Sequence, residues 1–328
     1  MSMTHAARAR HGDQWIDAHH NDLRPRPHGE NGDAVMINGT IWYHNGTRED
    51  PETGQQWHAN ADNLPAMGFR IENTCELPRT YYVQGLETLG EGTLLISSGR
   101  YEKSAISTLA YAIDGGRCHF EETASIDLSD EYYGQGLTYV EELEQVYQLT
   151  WKSNDVHVWD VSEVVGPDGE LMHQLSSNQI VSMPDEKGVG EGWRGLAHWS
   201  GGASAGMNAL LASNATNKIM ILSAANMTIL RTLDIADIYG QVAWNLNELE
   251  LIDDHLDEAV RGPLSGYVFA NEAYTDQLHM IDLSRGLTVR TWHLGMIRGA
   301  VEEHFSKTGR GDEFNALTHY LNGIAYDR

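Results

Sequence analysis

Tyr132-Tyr133-Gly134-Gln135-Gly136-Leu137-Thr138, followed by the alternating run Leu143 to Trp151, decides how the rest of the chain is read. A Gly-x-Gly turn feeds a strand-like segment that closes on Leu149-Thr150-Trp151. Four other phrases are built alike. Tyr82-Val83-Gln84-Gly85-Leu86 precedes it; Trp193-Arg194-Gly195-Leu196-Ala197, Leu246-Asn247-Glu248-Leu249-Glu250 and Leu321-Asn322-Gly323-Ile324-Ala325 follow. Each runs through a polar or aromatic residue, a small or polar one and an aliphatic one into a strand. Five such phrases, very roughly fifty to seventy-five residues apart, predict the blades of a β-propeller. The expected fold is all-β: a five-bladed β-propeller with its last blade incomplete in this chain. A fifth blade of one strand would leave sheet edges uncovered, so further strands are expected downstream of Arg328.

Between the phrases the pattern has period two with turn signals at short intervals. Thr93 to Ser98, Ala105 to Ile113 and Cys118 to Ile126 read as strands, the second stopped by Asp114-Gly115-Gly116. Gln145 to Trp151, Val156 to Val161 and Asn178 to Met183 form a second group, with a loop at Gly166 to Gly169 and a glycine-rich stretch at Gly188 to Gly192. Ala209 to Ala212, Lys218 to Ser223 and Thr228 to Leu233 form a third; Gly266 to Ala270, Gln277 to Asp282 and Leu287 to His293 form a fourth. Met296 to Phe305 reads as a helix despite Gly299. The period-two pattern begins near Phe69, so the propeller is assigned to 67–328. Residues 1–66, rich in His, Asp, Asn, Arg and Pro, are set apart as a polar N-terminal arm or cap. Within that arm, Ile41 to Thr47 reads as a short strand with an Asn-Gly turn. His19-His20 with Asp17 and Asp22 is read as a solvated segment, because nothing around it orients imidazoles toward a metal.

Net charge is −25. Such a surface repels phosphate backbones, so a nucleic-acid partner is not expected. No run of about 18 apolar residues occurs, so no membrane span is expected. The start Met1-Ser2-Met3-Thr4-His5 shows no signal-peptide pattern. The two cysteines, Cys75 and Cys118, match no metal knuckle, and two free buried thiols are expected ahead of a disulfide. The acceptor patterns at Asn38, Asn45, Asn214 and Asn226 are read as chance, Asn214 suiting a tight turn.

In a propeller the first strand of each unit lines the central channel. Gln84, Gln135, Trp193, Asn247 and Asn322 would then meet at one mouth, with Trp151 as a wall. Convergent amides beside aromatics suit a ligand that is itself an amide. The alternative is that these side chains pin the blade turns, since buried polar groups must be paired somewhere, and that the tryptophans are core.

Taken together, Gln84-Gly85-Leu86, Gly134 to Thr138 with Leu149-Thr150-Trp151, Gly192-Trp193 with Gly195-Leu196, Leu246 to Glu250 and Leu321 to Ala325 resemble the plant and bacterial type of glutaminyl cyclase, over about residues 69 to 328. The resemblance implies a five-bladed propeller and an acyltransferase, glutaminyl-peptide cyclotransferase, that needs neither metal nor cofactor. The α-amine of an N-terminal glutamine attacks its own carboxamide carbon, ammonia leaves and pyroglutamate remains. This chemistry asks for proximity, donors on the developing oxyanion and a proton-transfer group. Carried over by position, the resemblance gives Gln135 and Asn247 catalytic places. It puts Tyr82, Gln84, Tyr133, Trp151 and Trp193 against substrate. Gln135 stands where the family has an acid, and a neutral amide is no base near pH 7. Glu272, Glu191 and Glu248 are candidates for a relocated carboxylate. Ala273 falls where another pocket tryptophan is expected, and the family's pocket lysine would lie beyond Arg328. The expected partner is a peptide or protein N-terminus bearing glutamine, the expected state a monomer, and the resemblance implies an exported protein. The alternative is a catalytically impaired propeller that binds peptide N-termini or serves as an interaction platform.

Overall fold

The computed structural model describes residues 75–77, 82–90, 92–114, 117–165, 171–184, 192–199, 208–237, 239–252, 267–315 and 320–326, with the backbone of seven short strands nearer the N-terminus. The His19-His20 pair, Phe69, the Gly115-Gly116 turn, the Gly166 to Gly169 loop and the stretch Gly188 to Glu191 lie outside the described residues.

Two antiparallel sheets come first: β1 (Arg8–His11), β2 (Gln14–Asp17) and β3 (Asp22–Pro25), then β4 (Ala34–Ile37), β5 (Thr40–Tyr43), β6 (Thr47–Glu49) and β7 (Gln56–His58). The strand expected at Ile41 is β5, one of four in its sheet.

Four propeller blades follow, each an antiparallel meander of four strands in chain order. The first is β8 (Val83–Thr88), β9 (Thr93–Ser98), β10 (Ala105–Asp114) and β11 (Arg117–Asp127). The second is β12 (Gly134–Val140), β13 (Gln145–Thr150), β14 (Asp155–Val165) and β15 (Leu171–Ser182). The third is β16 (Leu196–Trp199), β17 (Ala209–Ser213), β18 (Lys218–Ser223) and β19 (Ile229–Asp234). The fourth is β21 (Leu246–Leu251), β22 (Tyr267–Glu272), β23 (Gln277–Asp282) and β24 (Leu287–His293). The two-residue β20 (Ala236–Asp237) runs parallel along its outer edge. Leu321–Tyr326 is described but joins no ladder.

Strand alternation builds the core between blades rather than inside them. On β17, Leu210 packs into the cluster shared with the second blade, with Leu149, Val158 and Leu196. Its neighbour Leu211 packs into the cluster shared with the fourth, with Leu249, Val268 and Ile281. On β18, Ile219 and Ile221 join one cluster, and Met220 and Leu222 the other. Successive residues face opposite sides of a sheet, so a middle strand buried on both faces is a continuous apolar run. Each fully buried leucine or isoleucine contributes about 1.5–3 kcal/mol. A third cluster, around Leu95, Ile106, Leu137, Val146 and Trp159, joins the first two blades.

The two cysteines are bonded to each other, which corrects the expectation of free thiols. β11 brings Cys118 to a Cα–Cα distance of 5.7 Å from Cys75, within disulfide range. The next residue, Glu76, reaches helix α1 (Gly295–Lys307) and its exit, accepting from His304 Nε2 at 3.1 Å and from Arg310. The Arg310 guanidinium, with His304, holds the Glu76 carboxyl below the usual carboxylate range. The helix matches the predicted one and buries no residue, which is why Gly299 is tolerated within it.

Candidate functional site

Four of the five phrases lie on or next to the inner strands of the four blades, and the fifth lies beside them without forming a strand. Gln84-Gly85-Leu86, Gln135-Gly136-Leu137, Arg194-Gly195-Leu196, Asn247-Glu248-Leu249 and Asn322-Gly323-Ile324 align residue by residue. Their glycines allow the inner strands to touch through their backbones. A Cβ on Gly85 would lie 2.9 Å from Gly136 Cα, one on Gly136 2.7 Å from Gly195 Cα, and one on Gly195 2.7 Å from Glu248 Cα. Thr88 Oγ1 donates to the Tyr326 carbonyl at 2.8 Å, so residues 320–326 lie beside β8. Asn271 Nδ2 donates to the Leu321 carbonyl, tying the same segment to the fourth blade.

Three of the inner strands slip register at the same level: Val83/Gly85, Gly134/Leu137 and Leu246/Leu249. A bulge re-aims side chains that strict alternation would turn apart. The consecutive residues Asn247 and Glu248 are both buried, each at 1% exposure, on a strand buried along its whole length.

The first layer of the ring is therefore Gln84, Gln135, Arg194, Asn247 and Asn322. Three of its amides form a chain. Asn247 Nδ2 donates to Asn322 Oδ1 at 2.6 Å, and Asn322 Nδ2 donates to Gln84 Oε1 at 3.1 Å. Gln84 Nε2 then points at the Tyr133 hydroxyl, 3.4 Å away. Gln135, buried at 1% exposure, is placed differently: its Oε1 has no hydrogen-bond partner among the described residues. A buried amide oxygen left unpaired costs about 1–3 kcal/mol, so the position calls for a functional reason.

Aromatic residues surround this layer. Tyr133 meets Trp151 edge-on at 5.5 Å and Tyr101 at 5.3 Å; Tyr274 lies 5.0 Å from Tyr320. Tyr82 is 42% exposed at the rim. The Arg194 guanidinium is 5.5 Å from the Trp151 ring, and Lys152 Nζ is 3.9 Å from it. Burial pushes the Tyr320 phenol up to about 12, with Tyr274 adding to the shift and Arg194 opposing it. Burial raises Tyr133 as well. At neutral pH both are therefore O–H donors rather than phenolates.

The structure thus joins Gln84, Asn247, Asn322, Tyr133 and Trp151 in one chain of contacts, with Tyr82 at the edge and Gln135 buried on the neighbouring inner strand. Trp193 is elsewhere: at 4% exposure it packs with Leu149, Leu196, Leu210 and Met220 between two blades. Arg194 takes the ring place that the sequence reading gave to Trp193. Aligning the phrases on their Gly-Leu pair instead of on the aromatic residue would have revealed it. Ala273 is buried, and the following Tyr274 supplies an aromatic ring beside Tyr320. Of the candidate carboxylates, Glu272 Oε2 is 3.3 Å from His279 Nε2 and is thereby engaged. Glu191 lies outside the described residues.

Side-chain amides, phenols and one guanidinium thus cluster at the inner strands of an all-β, propeller-like fold. The family model for glutamine cyclotransferase matches residues 47–328, and the chain belongs to that family. Among solved structures, the chain is similar to a glutaminyl cyclase of Myxococcus xanthus, with 19% identity and a TM-score of 0.50; the match covers 75% of this chain and 82% of the other. It is also similar to a protein from Lactobacillus plantarum, at 14% identity over 79% of this chain and 63% of that one, with a TM-score of 0.36. Comparison with curated proteins finds no match.

Proposed function

We propose that this chain is a glutaminyl-peptide cyclotransferase that converts an N-terminal glutamine into pyroglutamate and releases ammonia, without a metal or cofactor. The observation that carries this reading is the amide chain Asn247–Asn322–Gln84 at the mouth of the ring, enclosed by phenols and Trp151. Amide pairs offer a donor and an acceptor together, which suits a substrate carboxamide. The aromatic walls hold the glutamine side chain folded back on its own amine, where attack becomes intramolecular. Arg194 and the Tyr133 hydroxyl are the donors for the oxyanion that develops as the C–N bond forms. Asn247 positions the carboxamide, Gln84 fixes Tyr133, and Gln135 supplies an acceptor where an acid would move protons faster. We read the ring as five-bladed, with Leu321–Tyr326 as the fifth inner position, and the chain as 67–328 propeller plus a 1–66 N-terminal portion. The active form is a monomer, because one ring supplies every group named.

Mass spectrometry of a glutamine-initiated peptide incubated with the protein tests the reading. Loss of one ammonia faster than the spontaneous rate supports it; an unchanged peptide overturns it. One observation favours a second reading, a propeller that binds peptide N-termini without turning them over: Gln135 carries no ionisable group. Peptide binding without ammonia loss selects that alternative.

A further inference from the structure

We propose that Glu248 is the proton-transfer carboxyl of this reaction, acting in place of the acid that position 135 lacks. The inference rests on the cyclisation proposed above. In the layer beneath the amide ring, four of the five inner positions are glycines: Gly85, Gly136, Gly195 and Gly323. The fifth is Glu248, and its side chain crosses toward the opposite strand. Its Oε1 lies 2.7 Å from the place a Cβ on Gly136 would take, next to Gln135 in sequence. The glycines leave the room that this one carboxyl occupies.

Glu248 is 1% exposed, and neither carboxyl oxygen has a hydrogen-bond partner among the described residues. A structural glutamate at such a depth would be paired, because an unpaired buried carboxyl is costly. Glu272 illustrates this, being buried against His279. Burial, followed by repulsion from Glu87, raises Glu248 well above the usual carboxylate range, which favours its neutral acid form. One residue along a strand is about 3.3 Å, so its carboxyl lies one layer below a carboxamide held on the ring, within reach of a single water.

The α-amine nitrogen forms a bond to the carboxamide carbon, and the carbonyl pair moves to oxygen. Glu248 gives its proton to the amide nitrogen. The oxyanion pair returns, the bond to that nitrogen breaks, and ammonia leaves. The Glu248 carboxylate then takes the surplus proton from the new ring nitrogen and is restored.

The test is a carboxyl swap, read as kcat and KM for ammonia release from a glutamine-initiated peptide. Glu248→Gln keeps the shape and removes the titrating group; kcat should fall by about 10²- to 10⁴-fold with KM held. Adding Gln135→Glu to that variant should restore turnover, because the carboxyl returns one layer up. Should Glu248→Gln fail to fold, Glu248→Ala leaves a cavity at the axis, and formate should recover its activity. Wild-type activity retained by Glu248→Gln, or a lost activity that neither Gln135→Glu nor formate recovers, overturns the assignment alone. A wild-type protein that releases no ammonia overturns the cyclisation reading and this inference with it.

Discussion

Replacing Gly195 by alanine should damage both the fold and the site. A Cβ there would lie 2.0 Å from the Asn247 carbonyl oxygen, 2.7 Å from Glu248 Cα and 2.7 Å from Leu249 N. All three are backbone atoms of an inner strand that packs against neighbours on both sides. Ordinary contact begins at 3.4 Å, so β16 and β21 would have to separate by about 1.4 Å in a close-packed interior. Overpacking of this kind costs about 1–3 kcal/mol when side chains can yield, and more when backbone must. A loss of about 3 kcal/mol in a domain of this size lowers Tm by about 6–12 °C. The same substitution at Gly299 makes a matched control. Its Cβ would meet nothing within 4 Å on an exposed helix, and alanine there should stabilise by about 0.5–1 kcal/mol. Urea unfolding of both variants, followed by tryptophan fluorescence, gives the comparison. If Gly195→Ala unfolds within about 0.5 kcal/mol of wild type, the inner strands do not pack backbone to backbone and the geometry of the ring is wrong.

Other expectations follow from the same geometry. In the Glu248→Gln background, Gln135→Glu should raise kcat by about 10²- to 10⁴-fold, the contribution of a placed proton-transfer group; a lower rate in folded protein would count against the role of position 135. Arg194→Ala should reduce kcat by about 10²-fold, the effect of losing one oxyanion donor, and an unchanged kcat would remove Arg194 from the mechanism. Opening the Cys75–Cys118 bridge, which spans a sequence separation of 43, should lower stability by about 4 kcal/mol in the chain-entropy picture; Cys75→Ser, Cys118→Ser against wild type in denaturant measures it. Tyr320 loses its proton at about 12 when folded, against 10.0 as an ordinary phenol. Its contribution to stability is therefore complete below pH 10 and declines as pH rises toward 12, a slope that Tyr320→Phe should flatten in alkaline melts.

The blade strands were legible because alternation and turn residues are local signals. Lys218–Ser223 and Gln277–Asp282 emerge with the expected boundaries. The amide cluster was legible because its phrase recurs, and Asn247, Asn322 and Gln84 form one hydrogen-bonded chain. Arg194 was hidden by the bulky Trp193 beside it, which drew the alignment one residue off. The pairing of Cys75 with Cys118 depends on where β11 brings Cys118, and no spacing rule encodes that. Nor does the sequence announce the bulges at Gly134/Leu137 and Leu246/Leu249. Without the second of these, strict alternation would turn Asn247 and Glu248 to opposite faces of β21. The expected fifth blade is not seen among the described residues: Leu321–Tyr326 is tied to its neighbours by side-chain hydrogen bonds and joins no ladder.

The most direct measurement is ammonia release from two peptides of identical sequence, one with a free N-terminal glutamine and one with that amine acetylated. The account predicts release above the spontaneous rate from the free peptide and none from the acetylated one, since the amine is the nucleophile. Equal release from both would mean hydrolysis of the carboxamide rather than cyclisation. No release from either, in folded protein that binds the free peptide, would contradict the assignment of catalysis to this ring.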